Sequence, residues 1–212
     1  VTTVLNVLQT LERLVDDQAK IGSYYEKFGK LFAGAEDEQI KGLGERLSGV
    51  ARRLQLIGNK MELAGKTLDG EDFDWDSYRG KVVLVDFFAS WCGPCRAEMP
   101  NVKKNYELYH DKGFEVVGIS VDRSREDLEK YLADNPVPWK IIFNEDPNAV
   151  GPANPGDYYG ILAIPTVMLV DKDGKVITFE ARGEALSAKL AEIFGPAEDD
   201  SADKSDASQG EG

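Results

Sequence analysis

The spacing of apolar positions changes along the chain, and the change divides it. In residues 1–59 they recur every three or four positions: Val4, Leu8, Leu11 and Val15; Ile21, Tyr24, Tyr25, Phe28, Leu31 and Phe32; then Ile40, Leu43, Leu47, Val50, Leu54 and Ile57. Such stripes mark amphipathic helices. Glu36, Asp37 and Glu38 suit a helix first turn after Gly34, and Gly58–Asn59 closes the last stripe. Gly42, Gly44 and Gly49 count against that last helix, because an interior glycine costs about 1 kcal/mol relative to alanine. The pattern predicts a helical hairpin, with a break expected near Gly22–Ser23. Its stripes are expected to pack on each other and on the next region. A partner-binding or dimer surface is the alternative use.

From Lys60 to Pro196 the apolar runs shorten to strand length. Thr67-Leu68, Asp69-Gly70 and Phe73 read as a hairpin. Val82 to Phe88 is a nearly continuous apolar run, as in a buried parallel strand. A helix is predicted from Pro94 to Asp111 and a second strand from Phe114 to Val121, which makes a strand–helix–strand crossover. Ser124 can cap a helix through Leu132, with Asp127 near the capping-box position. Trp139–Phe143 is a further strand candidate. Thr166–Val170, the turn Lys172-Asp173-Gly174, and Lys175–Phe179 read as an antiparallel hairpin. Glu184 to Phe194 is the last helix, stopped by Gly195-Pro196. Between them, Asn144–Asn148 and Gly151–Gly156 are loop-like.

Residues 197–212 carry six acidic side chains against Lys204, with no aromatic and no large aliphatic residue. A disordered, solubilising tail is expected there. The 212 residues suffice for one core plus an accessory element. The net charge of −13 and the lack of a long basic run exclude nucleic acid as an expected partner. No run approaches the roughly 18–20 apolar residues of a membrane helix. The chain begins at Val1 rather than Met, as a processed or trimmed product would, so the lack of a leader says nothing of compartment.

There are two cysteines, spaced C-x-x-C, and a single histidine, His110. A small disulfide-stapled fold needs more pairs. Zinc needs about four ligands, so half a zinc site is the weaker reading of this pair and no metal is expected. The stretch Trp91-Cys92-Gly93-Pro94-Cys95 follows the Val82–Phe88 strand and opens a helix. Backbone N–H groups at a helix N-terminus favour an anion, so Cys92 is the expected thiolate nucleophile of disulfide exchange. Cys95, one turn later, is placed to resolve a mixed disulfide. Gly93 permits close approach of substrate backbone, and Pro94 suits the first helical turn. Plain packing for Trp91 and a plain helix start for Pro94 are the alternatives.

The run Val85-Asp86-Phe87-Phe88-Ala89-Ser90-Trp91-Cys92-Gly93-Pro94-Cys95 resembles the active-site segment of thioredoxins. Tyr78-Arg79-Gly80-Lys81 through Cys95-Arg96-Ala97-Glu98-Met99-Pro100 is more similar to the extracytoplasmic TlpA/ResA type of the thioredoxin-like superfamily. So are Tyr159-Gly160-Ile161, Ile164-Pro165-Thr166 and Leu169-Val170-Asp171-Lys172-Asp173-Gly174. The resemblance covers about Met61 to Phe194. It implies an α/β, thioredoxin-like fold, a mixed central sheet flanked by helices, preceded here by the helical region 1–59, with the domain at 60–196 and the tail at 197–212. It implies that Asp86 is a buried carboxylate moving protons for Cys95; a strand-end side chain facing solvent is the alternative. Pro165 matches a cis-proline facing the cysteines, which would hold the Ile164 backbone against a substrate strand; an ordinary strand-start proline is the alternative. Pro100 matches a helix-kinking proline. Glu98 departs from ordinary thioredoxin and is expected to be solvated or hydrogen-bonded.

The function expected is therefore a thiol–disulfide oxidoreductase acting on protein disulfides, as a reductase, without a cofactor. Trp91, Gly93, Pro94, Ile164 and Pro165 would meet substrate, and a redox partner protein would supply electrons. The resemblance implies a periplasmic or other extracytoplasmic space. Two other readings stay open. One is a thiol peroxidase-like antioxidant enzyme, although the proline and threonine ahead of a lone peroxidatic cysteine are missing. The other is a partner-binding or assembly module in which the helical region does the main work.

Overall fold

The computed structural model describes residues 2–15, 17–146 and 149–196. The expected acidic tail and part of the Asn144–Asn148 loop lie outside the described residues. The N-terminal stripes form three helices, α1 (Thr2–Leu14), α2 (Gln18–Ala33) and α3 (Glu38–Leu54). The helix break expected at Gly22–Ser23 does not occur. The chain breaks instead between Leu14 and Gln18, where the Asp17 carboxylate accepts the Lys20 N–H at 2.9 Å and so satisfies an orphan donor of the α2 first turn. Asp37 caps α3 in the same way, accepting from Gln39 N at 2.9 Å and Ile40 N at 3.1 Å.

Gly22 stays helical inside α2, buried, and a methyl group there would meet Gln55, Ala51 and Leu54 at near-ordinary contact distance. Gly29 and Gly44 let α2 and α3 run backbone to backbone. A methyl group on Gly44 would overlap Ala33 N and come within 2.7 Å of Gly29 O. Around this contact Leu8, Ile21, Tyr25, Leu47, Val50, Ala51 and Leu54 form a separate apolar cluster. Each such fully buried large side chain contributes about 1.5–3 kcal/mol.

The rest of the chain builds a five-stranded sheet of β1 (Val82–Phe88), β2 (Phe114–Ser120), β3 (Lys140–Phe143), β4 (Thr166–Val170) and β5 (Val176–Thr178). Its order is β3-β2-β1-β4-β5. Strand β1 runs parallel to β2 and antiparallel to β4. It is buried along its whole length, which is why it lacks polar alternation. Helices α4 (Gly93–Tyr109), α5 (Arg125–Asp134) and α7 (Glu184–Phe194) pack on one face, with Val82, Leu84 and Phe88 beneath them. The other face carries Val83, Val85 and Phe87 and is covered by Leu56, Met61, Leu63, Trp75 and Tyr159. The mixed sheet with flanking helices is the predicted fold class.

Residues 66–73 form a minimal hairpin: Lys66 and Asp72 make an antiparallel bridge, Thr67 N donates to Glu71 O at 2.8 Å and Gly70 N to Thr67 O at 2.8 Å, and the first limb pairs with the outer edge of β3. On the opposite edge, Gly58 and Asn59 exchange backbone hydrogen bonds with Val176 of β5. The loop before β4 contains a 3-10 turn (Gly151–Ala153) and a one-turn helix, α6 (Pro155–Tyr158). No helix among the described residues is long and apolar enough to cross a membrane.

Candidate active site

Strand β1, central in the sheet, ends at Phe88, and a tight bend leads into α4. Cys92 is the N-cap of α4, and its Sγ accepts the Cys95 N–H at 3.2 Å. Pro94 stands in the first turn, where no N–H is needed. The two sulfurs are joined in a disulfide of 2.06 Å. Both cysteines are only 4% exposed, whereas Trp91 beside them is 67% exposed. Gly93 and Pro94 are also exposed. The disulfide thus meets solvent at a rim made by residues 91–94.

Below it lies Asp86. Asp86 alternates with Leu84 and Phe88 along β1, and it pairs with Val167 on β4. Those three neighbours belong to the cluster that holds Cys92 and Cys95, so Asp86 shares their face of the sheet. Opposite it on β2 is Gly118, where Ile141 and Phe88 occupy the space of a side chain. Asp86 is 7% exposed. Burial pushes its pKa up to about 7; the positive charge of Arg182 pulls it back and the negative charge of Glu98 adds to the rise. A carboxyl tuned to neutral pH is suited to moving protons.

Ile164 and Pro165 are joined by a cis peptide bond. Ile164 packs against both apolar clusters of the sheet, including the one holding the cysteines. Just before it, Leu162 is 56% exposed. Trp91 and the first turn of α4, with Gly93 and Pro94, follow β1, and Ile164 and Pro165 lead into the antiparallel β4 at the same end of the sheet. Glu98 is hydrogen-bonded: its Oε1 accepts Gly183 N at 2.7 Å and Asn101 Nδ2 at 2.7 Å, tying α4 to the start of α7. Helix α4 continues through Pro100.

Two contributors escaped the sequence reading. Asp122, buried just after β2, accepts Ser90 N at 2.9 Å, Ser90 Oγ at 2.6 Å and Ser120 Oγ at 2.8 Å. It fixes the bend that carries Trp91 and Cys92. Nothing in the sequence marks it, because Ser90, the partner in the bend, is separated from it by a whole strand–helix unit. Arg182 is the cation nearest in effect to Asp86, and it comes from the loop before α7. Among the described residues no group of three or more His, Cys, Asp or Glu side chains could hold a metal ion.

Comparison with known proteins points the same way. The model of the Redoxin family matches residues 56–191. A thiol-disulfide oxidoreductase ResA of Bacillus thuringiensis is 29% identical over 127 residues, which is 60% of this chain and 69% of that protein. The ResA of Geobacillus thermodenitrificans is 30% identical over 109 residues, covering 51% of this chain and 59% of the relative. Among solved structures, the thioredoxin domain of a thiol-disulfide oxidoreductase from Bacteroides vulgatus superposes with a TM-score of 0.57 and 30% identity, covering 63% of this chain and 94% of that one. A thiol:disulfide interchange protein from a Bacteroides species gives 0.56 and 29%, covering 66% and 90%. The Redoxin match begins at residue 56, after helices α1–α3.

Proposed function

This chain belongs to the Redoxin family, and from that premise we propose that it is a thiol–disulfide oxidoreductase of the TlpA/ResA type that reduces protein disulfides in an extracytoplasmic space. One observation carries the reading: a bonded cysteine pair caps α4, with the Cys95 N–H directed at the Cys92 sulfur. In the reduced protein that N–H and the helix terminus favour the Cys92 thiolate.

The Cys92 thiolate attacks one sulfur of a substrate disulfide, and the other substrate sulfur leaves as a thiolate. The Cys95 thiol gives its proton to the Asp86 carboxylate and attacks the Cys92 sulfur. The Cys92–Cys95 bond forms, and the second substrate thiolate leaves and takes up a proton. Two electrons have passed from the dithiol to the substrate. A dithiol partner protein returns them by the reverse exchange. Trp91, Gly93 and Pro94 meet the substrate at the rim, and the Ile164 backbone beside Pro165 pairs with its extended chain.

The test is capture. A Cys95→Ser variant should hold substrate on Cys92 as a mixed disulfide that runs as a heavier, reductant-sensitive species. The parent should reduce insulin disulfides in the presence of dithiothreitol. Lack of both results would overturn the assignment.

A further inference from the structure

The helical region 1–59 does more than pack on the catalytic domain. Its last helix seats against the segment that leads into the Ile164–Pro165 turn. Gly49 of α3 lies backbone to backbone on that segment: a methyl group there would come within 2.7 Å of Asp157 O and Gly160 N. The fit is reciprocal. Gly160 has φ +55°, and a side chain on it would overlap Val50 N and approach Arg46 O and Gly49 C to 2.8 Å. Three residues after Gly49, the half-buried Arg52 donates to the Tyr158 carbonyl and stacks over the Tyr158 ring, 3.9 Å from its centre. A guanidinium does both at once, where an ammonium cannot reproduce the flat stacking.

The far end of the clamp is anchored as well. The Tyr159 hydroxyl donates to Glu62 O at 2.7 Å and accepts Glu62 N at 2.9 Å, while the Tyr158 hydroxyl donates to Glu62 Oε2 at 2.9 Å. Residues 157–160 are therefore gripped between α3 and the strap that follows it. Beyond Gly160 the chain has only Leu162, exposed, and Ala163 between Ile161 and the Ile164–Pro165 turn.

We propose that Arg52, with the Gly49–Gly160 contact, is a positioning residue: through α3 it holds the Ile161–Pro165 segment in the shape that receives a protein substrate, leaving the sulfur chemistry untouched. This rests on the substrate role given above to Ile164 and Pro165. Coupling through such a packed network changes an affinity by about two- to thirtyfold.

The experiment compares the parent with Arg52→Ala and Arg52→Lys, in the full chain, on two substrates. For insulin disulfides, Arg52→Ala should raise KM about fivefold with kcat nearly unchanged. Arg52→Lys should fall between Ala and the parent. For hydroxyethyl disulfide, too small to use the turn, the rate constant should not move, and neither should the reduction potential of Cys92–Cys95. Amide hydrogen exchange at Ile161–Ile164 should quicken in Arg52→Ala. An unchanged insulin KM, or equal losses on both substrates, would overturn the proposal. If the parent reduces no disulfide at all, the enzymatic reading above fails separately. The positioning claim is then decided by hydrogen exchange, and falls if Ile161–Ile164 exchange alike in parent and Arg52→Ala.

Discussion

Asp86 pairs with Val167 across the β1–β4 ladder, two residues beyond Pro165. One register therefore fixes the buried carboxyl, the proline turn and, through the end of β1, the cysteine bend. A slip of one residue would turn Asp86 to the opposite face, where Val85 and Phe87 now pack. The carboxyl proposed to handle protons and the turn proposed to receive substrate are set by the same backbone hydrogen bonds.

Replacing Asp86 with Asn should lower kcat for insulin reduction by about a hundredfold, the usual scale for losing a general acid or base. Because the Asp86 pKa is pushed up to about 7, the parent should gain activity as pH rises through that value. The variant should lack this rise. A pH–kcat profile from pH 5 to 9 checks it.

The same substitution should stabilise the protein at alkaline pH. The folded-state pKa of about 7 lies above the unfolded value of about 3.9. Between these two values the folded chain holds more protons than the unfolded one, so stability falls as pH rises. The penalty is complete above about pH 7, and the shift converts to on the order of 4 kcal/mol. Urea unfolding at pH 4.5 and pH 8 should show a smaller difference for Asp86→Asn than for the parent.

These two expectations rest on what the sequence made legible. The strands and the cysteine motif could be read directly, because β1 is apolar throughout and Cys-Gly-Pro-Cys follows it at once. Asp86 stood out as a carboxylate inside that run. The helical region was harder. Gly22, Gly44 and Gly49 look like helix breakers when only local propensity is considered. In the fold Gly44 and Gly49 are the points where another backbone comes too close for a side chain, a property of the partner rather than of the segment, while Gly22 is simply carried inside a helix buried against α3. Asp122 was invisible for a related reason, since its hydrogen bonds to Ser90 exist only once β1 and β2 lie side by side.

Glycines 42 and 44 should therefore respond in opposite ways to alanine. A methyl group on Gly42 would meet nothing within 4 Å, so Gly42→Ala should stabilise the helix by about 0.5–1 kcal/mol. Gly44→Ala drives a methyl into rigid backbone and should destabilise by roughly 1–3 kcal/mol or more. Thermal melts of the two variants distinguish them.

Asp122→Ala should leave Ser90 N and both serine hydroxyls without their partner. Each buried unpaired group costs about 1–3 kcal/mol where water cannot replace the lost acceptor. A loss of about 2–4 kcal/mol in urea unfolding is expected.

The sheet has a strap along each border: residues 66–68 on the β3 side and Gly58–Asn59 on the β5 side. A visiting polypeptide, or a second copy of the chain, consequently meets the outer side of β3 and the start of β5 already paired, which leaves little bare border for strand addition.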